Sequence, residues 1–85
     1  MSGGPDGIGR SEKLNDRIAD AFDVTFRSEA GRLVLDYLES VTIKRTAGPE
    51  VTDQHLRHLE GQRFLVGMIN QWHQLGINNR KEDTK

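Results

Sequence analysis

The 85-residue chain contains no cysteine, so neither a disulfide nor a thiolate metal site can compensate for a small core. Only two prolines interrupt it, aromatic residues make up 6%, and hydrophobic residues 34%. No apolar run is long enough to cross a bilayer, and residues 1–10 lack the apolar segment of a secretory leader. These features point to a soluble product made in the cytoplasm, with no membrane partner. There is also no excess of either charge: the formal net charge is −1, and the lysines and arginines are spread along the chain. A basic tract that would neutralise nucleic-acid phosphates is missing, so direct nucleic-acid binding is not expected. A single domain this small buries only about 60–65% of its unfolded surface. Small domains without staples commonly gain stability by assembling.

What is present is helical. Thr52 to Gly76 reads as one long helix, with Thr52 as N-cap, Asp53 at the positive end of the dipole, and Gly76 as the residue that ends it. Its apolar residues Phe64, Leu65, Val66, Met68, Ile69, Trp72 and Leu75 spread over roughly 200°, against the ~100° an ordinary surface helix turns to its core. So wide an arc needs cover from two directions. Before it, Ser11 opens a helix running to about Phe26, with Leu14, Ile18, Ala21, Phe22 and Phe26 on the apolar side and Lys13, Asp16, Arg17, Asp20 and Asp23 on the wet side. Ser28 caps a second helix, near Glu29 to Val41, burying Leu33 or Val34, Tyr37, Leu38 and Val41 with Arg32, Asp36 and Glu39 outside. Gly31 in its first turn costs up to ~1 kcal/mol relative to alanine, which suggests close packing against the first helix.

The expected fold is therefore all-α: a small three-helix domain over residues 11–76 with one long C-terminal helix. A flexible glycine-rich arm (residues 1–10) precedes it and a polar tail (residues 77–85) follows. Residues 42–51 hold Gly48-Pro49 and the adjacent Lys44 and Arg45, and read as a loop. The expected intrachain core is Leu14, Ile18, Phe22, Val34, Tyr37, Leu38, Leu59, Val66 and Ile69.

Chemistry is sparse. His55 and His58 share a face at i, i+3, but a zinc site needs at least one further protein ligand and none is well placed. No nucleophile stands beside a base and an orienting group, and no glycine-rich loop joins a strand to a helix. No catalytic, cofactor or metal residues are assigned, and no enzyme is expected. Two short helices around FRSEAG could be taken for a helix-turn-helix, yet Glu29, Asp36 and Glu39 beside Arg32 would meet phosphates nearly uncharged.

Two stretches carry a resemblance. The first is Phe26-Arg27-Ser28-Glu29-Ala30-Gly31-Arg32-Leu33-Val34-Leu35, with its phenylalanine, hydroxyl cap, glycine and following Val-Leu. The second is Glu60-Gly61-Gln62-Arg63 leading to Val66 and Ile69. In this order and separation they resemble a family of small tailed-bacteriophage and prophage virion proteins of the Bordetella-podophage type, over about Phe22 to Trp72. Glu29 replaces a frequent proline, and both suit the first helical position. The polar central loop also departs from that family's more aromatic one. The resemblance implies a non-catalytic structural component of the particle and marks Phe26, Ser28, Gly31, Val34, Leu35, Glu60, Gly61 and Arg63 as pattern positions.

Together these readings give a virion protein of the head–tail or portal region. It would be present in several copies and dock on a portal, adaptor, tail or capsid protein. The docking surface expected from the surplus arc is Phe64, Met68, Trp72 and Leu75, with Arg63 either paired to Glu60 on the surface or reaching a partner's carboxylate while Gly61 admits a close backbone. A small cytoplasmic regulator or adaptor, dimerising through the long helix, is the alternative. A DNA-packaging accessory is a poorer third.

Overall fold

A computed structural model describes residues 2–44, 48–49 and 52–83. It has three helices, α1 (Glu12–Arg27), α2 (Glu29–Val41) and α3 (Asp53–Asp83), preceded by a minimal antiparallel pair of strands, β1 (Ser2–Gly3) and β2 (Gly9–Arg10). The all-α domain with a long C-terminal helix is as expected. Arg45, Thr46, Val51 and residues 84–85 lie outside the described residues, while residues 42–44 form a turn.

Local chemistry sets the helix starts. Ser11 Oγ accepts from the Leu14 amide at 3.2 Å, and Thr52 Oγ1 from the His55 amide at 3.1 Å, each satisfying a first-turn donor. Ser28 serves two helices at once. It is the residue after α1 and the N-cap of α2, its Oγ accepting from the Gly31 amide at 3.0 Å and donating to the Thr25 carbonyl at 3.3 Å. No residue is left over for a linker. The corner closes because Gly31 lacks a side chain: a Cβ there would strike the Thr25 carbonyl oxygen and come within 2.8 Å of Phe26 Cα. That is the close packing the sequence suggested for this glycine.

Gly76 does not end the long helix. It lies buried in mid-helix where α3 crosses α1, and a Cβ would meet the Ala19 carbonyl oxygen and approach Asp23 Cβ to 2.7 Å. Glycine is used here for approach rather than for a left-handed turn; among the described residues only Gly7 has positive φ. Beyond Gly76 the helix is held by tertiary bonds: Arg80 to Asp23, and Asn79 Nδ2 to Asp16 Oδ1 at 3.3 Å. Residues 77–83, expected as a polar tail, are therefore part of the helical body. Gly76→Ala should destabilise the protein by about 1–3 kcal/mol through overpacking, outweighing the ~1 kcal/mol that alanine gains in helix propensity. Chemical denaturation with circular dichroism detection measures the difference.

The leader also carries regular structure that its composition does not announce. Asp6 holds it together: Oδ1 and Oδ2 accept from the Arg10 guanidinium at 3.0 and 2.7 Å, and Oδ1 accepts from the Ile8 amide at 3.0 Å. The Arg10 bonds, followed by the Ile8 amide, lower the Asp6 pKa to about 2. Gly7, at φ 76°, closes the turn with its amide on the Gly4 carbonyl at 2.8 Å.

The body is built chiefly on the α1–α3 contact, with α2 resting on it more lightly. Ala19, Leu35, Leu59, Val66 and Trp72 are buried, with Ile18, Phe22, Leu38 and Ile69 half-buried around them. Three expected core members are exposed: Leu14 (43%), Val34 (52%) and Tyr37 (63%), as are Leu33 and Val41. The buried stripe of α2 runs instead through Gly31, Leu35, Leu38, Glu39 and Thr42. The Ser28 corner fixes this phase. The molecule is elongated and flat, 51 × 32 × 16 Å, with a radius of gyration of 15.3 Å, where a compact 85-residue domain would have ~12 Å. Its 6418 Å² surface exceeds by about 1,300 Å² the area expected for a compact monomer of 9.6 kDa.

Candidate functional site

The densest chemistry lies where α1 meets the C-terminal half of α3. An aromatic ladder runs along it. The Trp72 indole stacks on Phe22 with centroids 5.9 Å apart and planes at 6°, Phe22 stacks on Phe26 at 6.2 Å, and the His73 ring lies tilted at 40° to Phe26 with centroids 6.2 Å apart. Offset stacking adds about 0.5–1.5 kcal/mol per pair to the area buried. The hairpin covers the ladder's other end, its Gly4 lying so close that a Cβ would come within 2.5 Å of the indole.

Beside the ladder sits Asp23, placed on the wet side by helical spacing but 3% exposed in the structure. The Arg80 guanidinium donates to it twice, Nε at 2.7 Å and Nη2 at 3.3 Å, while His73 Nε2 stands 3.6 Å and Arg27 Nη1 3.9 Å away. The Arg80 bonds, foremost, hold the Asp23 carboxyl below its ordinary pKa against the opposing effect of burial, with the charges of Arg80, Arg27 and His73 adding to the lowering. The same pairing holds Arg80 above its ordinary value. This is a structural clamp that fastens the last turns of α3 to α1. The signal for it in sequence is thin: an aspartate and an arginine fifty-seven residues apart.

A cleft beneath the hairpin is lined by Gly4, Asn15, Asp16, Ala19, Trp72, Leu75 and Asn79, among others, and among the described residues its lining includes no serine, histidine or lysine. His55 and His58 are exposed. Among the described residues no group of three or more His, Asp or Glu could hold a metal ion, and no helix is long and apolar enough to cross a membrane.

The expected docking residues separate. Trp72, expected to be exposed, is 4% exposed and sealed by Phe22 and Gly4 of its own chain, so it leaves the surface patch. Phe64 is 68% exposed and Met68 half-buried, while Leu75, 41% exposed, lines the cleft beneath the hairpin beside Gly4 and Trp72. Arg63 Nε donates to the Thr42 carbonyl at 3.0 Å, fastening the end of α2 to α3; this contact was foreseen in neither reading of Arg63. Thr42 Oγ1 donates to the Leu38 carbonyl at 2.6 Å, completing the C-terminus of α2. Glu60 and Gly61 are exposed, with open space over Gly61.

A family model described as Bbp19-like phage protein matches residues 22–80. The chain belongs to the Bbp19-like phage protein family. It is thus a protein of a phage family of the Bordetella type, as the paired motifs indicated. The matched segment takes in the Ser28 corner, α2, the Arg63 contact and both partners of the Asp23–Arg80 clamp; the hairpin and the first turns of α1 fall outside it. No curated protein and no solved structure matches the chain.

Of the family-pattern positions, Ser28 and Gly31 make the α1–α2 corner, Phe26 stands in the ladder, Leu35 is buried, and Arg63 holds α2. Val34, Glu60 and Gly61 face outward.

Proposed function

We propose that this phage protein is a non-enzymatic structural component of the virion. It is held in several copies in the head–tail or portal region and docked on a portal, adaptor, tail or capsid protein. The observation that carries the reading is the outward face of α3. Phe64 and Met68 stand there one turn apart, with Leu75 two turns further on at the edge of the hairpin, on a helix whose opposite side is filled by the chain's own core. An apolar stripe of this kind on a small protein marks a binding surface, and an exposed phenylalanine is a suitable anchor. The surplus of exposed area supports the same reading. Trp72 belongs to the fold and not to this surface.

Mass spectrometry of purified particles tests the placement. The chain should be recovered in a fixed ratio to the portal protein, and its absence from particles would leave the cytoplasmic regulator. Phe64→Ser should reduce recovery in particles by about an order of magnitude or more, the effect of losing ~1.4 kcal/mol or more of docking energy. Helix content of the isolated protein should be unchanged.

A further inference from the structure

We infer that α2 is a second, separate interface, and that its occupant is α2 of another copy of this chain. Ala30, Val34, Tyr37 and Val41 recur at spacings of four, three and four, the a/d repeat by which helices interdigitate, and Leu33 lies alongside. All five are exposed, Leu33 at 70%, Tyr37 at 63% and Val34 at 52%, because the Ser28 corner turns Leu35 and Leu38 to the body instead. The helix is therefore apolar on two sides, and among the described residues only one is used within the chain.

The charge pattern identifies the occupant. The positions that flank such a seam are Gly31, Leu33, Leu38 and Ser40, none of them charged. The charged residues Glu29, Arg32, Asp36 and Glu39 all lie away from the seam, and Glu39 is engaged by Asn70 at 3.0 Å. Two identical helices can thus meet without like charges opposing one another, whereas nothing at the seam edges would select an oppositely charged foreign helix. A free helix of 13 residues would be too short to pair. This one is already formed, fixed at one end by Ser28 and at the other by Arg63 on the Thr42 carbonyl. Pairing through α2 does not depend on the docking proposed for α3.

Sedimentation equilibrium of the full chain, with circular dichroism of every variant, tests the pairing. The wild-type protein should sediment at twice the 9.6 kDa chain mass at submillimolar concentration. Val34→Glu and Tyr37→Glu should each weaken the dimer by an order of magnitude or more with helix content retained, since both positions are solvent-exposed in the monomer. Phe64→Glu should leave the dimer intact while still impairing recovery in particles. A wild-type chain that stays monomeric would overturn the inference. So would a dimer that survives both α2 substitutions or is lost with Phe64→Glu.

Discussion

Trp72→Ala should cost the isolated protein about 3–5 kcal/mol, the range for truncating a buried aromatic residue. In a domain whose whole stability is of order 5–15 kcal/mol this is a change between a folded and a largely unfolded population. The reason is position. Trp72 lies 4% exposed at the crossing of three elements, stacked on Phe22 and capped by Gly4, so its removal leaves a cavity that neither α1 nor the hairpin can fill alone. Urea unfolding followed by circular dichroism measures the loss. Phe64→Ala, at a site 68% exposed, supplies the contrast and should shift stability by no more than ~0.5 kcal/mol. Equal losses at the two sites would mean that the ladder is not the core. Because Trp72 is the sole tryptophan, its emission follows the same transition from the wild-type side.

The second large effect is expected at Asp23. Asp23→Asn should destabilise the protein at neutral pH by about 1–3 kcal/mol, the scale of charge-assisted hydrogen bonds. Figures quoted for fully buried pairs are higher, but Arg80 is half exposed and can turn to water when its partner is neutral. The pH dependence has a definite sign. Asp23 is depressed below its ordinary 3.8 in the folded state, so its contribution is fully present above that value and is lost as pH falls through the lower, folded-state pKa. The wild-type advantage over Asp23→Asn should therefore persist at neutral and mildly acidic pH and shrink below about pH 4. Paired denaturation curves across that range check it. An advantage unchanged at the acid end would assign the effect of Asp23 to packing rather than to charge.

These two residues also show how far the sequence could be read. The helix starts were legible because they are local: a hydroxyl side chain three residues before the amide it accepts from is visible in one dimension. The family motifs were legible for the same reason, being short and ordered. Three things were not. Asp23 reads as surface by periodicity, and its burial depends on Arg80 arriving from a helix fifty-seven residues later. Gly76 followed Leu75 in the manner of a helix terminator, because a glycine required by a crossing and one required by a left-handed turn look alike until the crossing partner, Ala19, is known. Once that helix was ended early, the bonds of Asn79 and Arg80 had no place in the reading. The phase of α2 was ambiguous because the helix is apolar on two sides, and composition does not say which one the chain uses for itself. Of the expected docking face, Phe64 remains fully outward, Met68 and Leu75 only in part, and Trp72 not at all, since a hairpin of glycines gave no hint that it would cover an indole.

The shared cap at Ser28 has one further consequence. With no linker between α1 and α2, the two helices are geared: their relative rotation is fixed by the backbone, not negotiated by side chains. Inserting or deleting one residue at this corner would turn α2 by about 100° about its axis, carrying Leu35 out of the core and swinging the outward stripe toward the body. Residue identities around the corner can drift within the limits set by Ser28 and Gly31. Its length cannot.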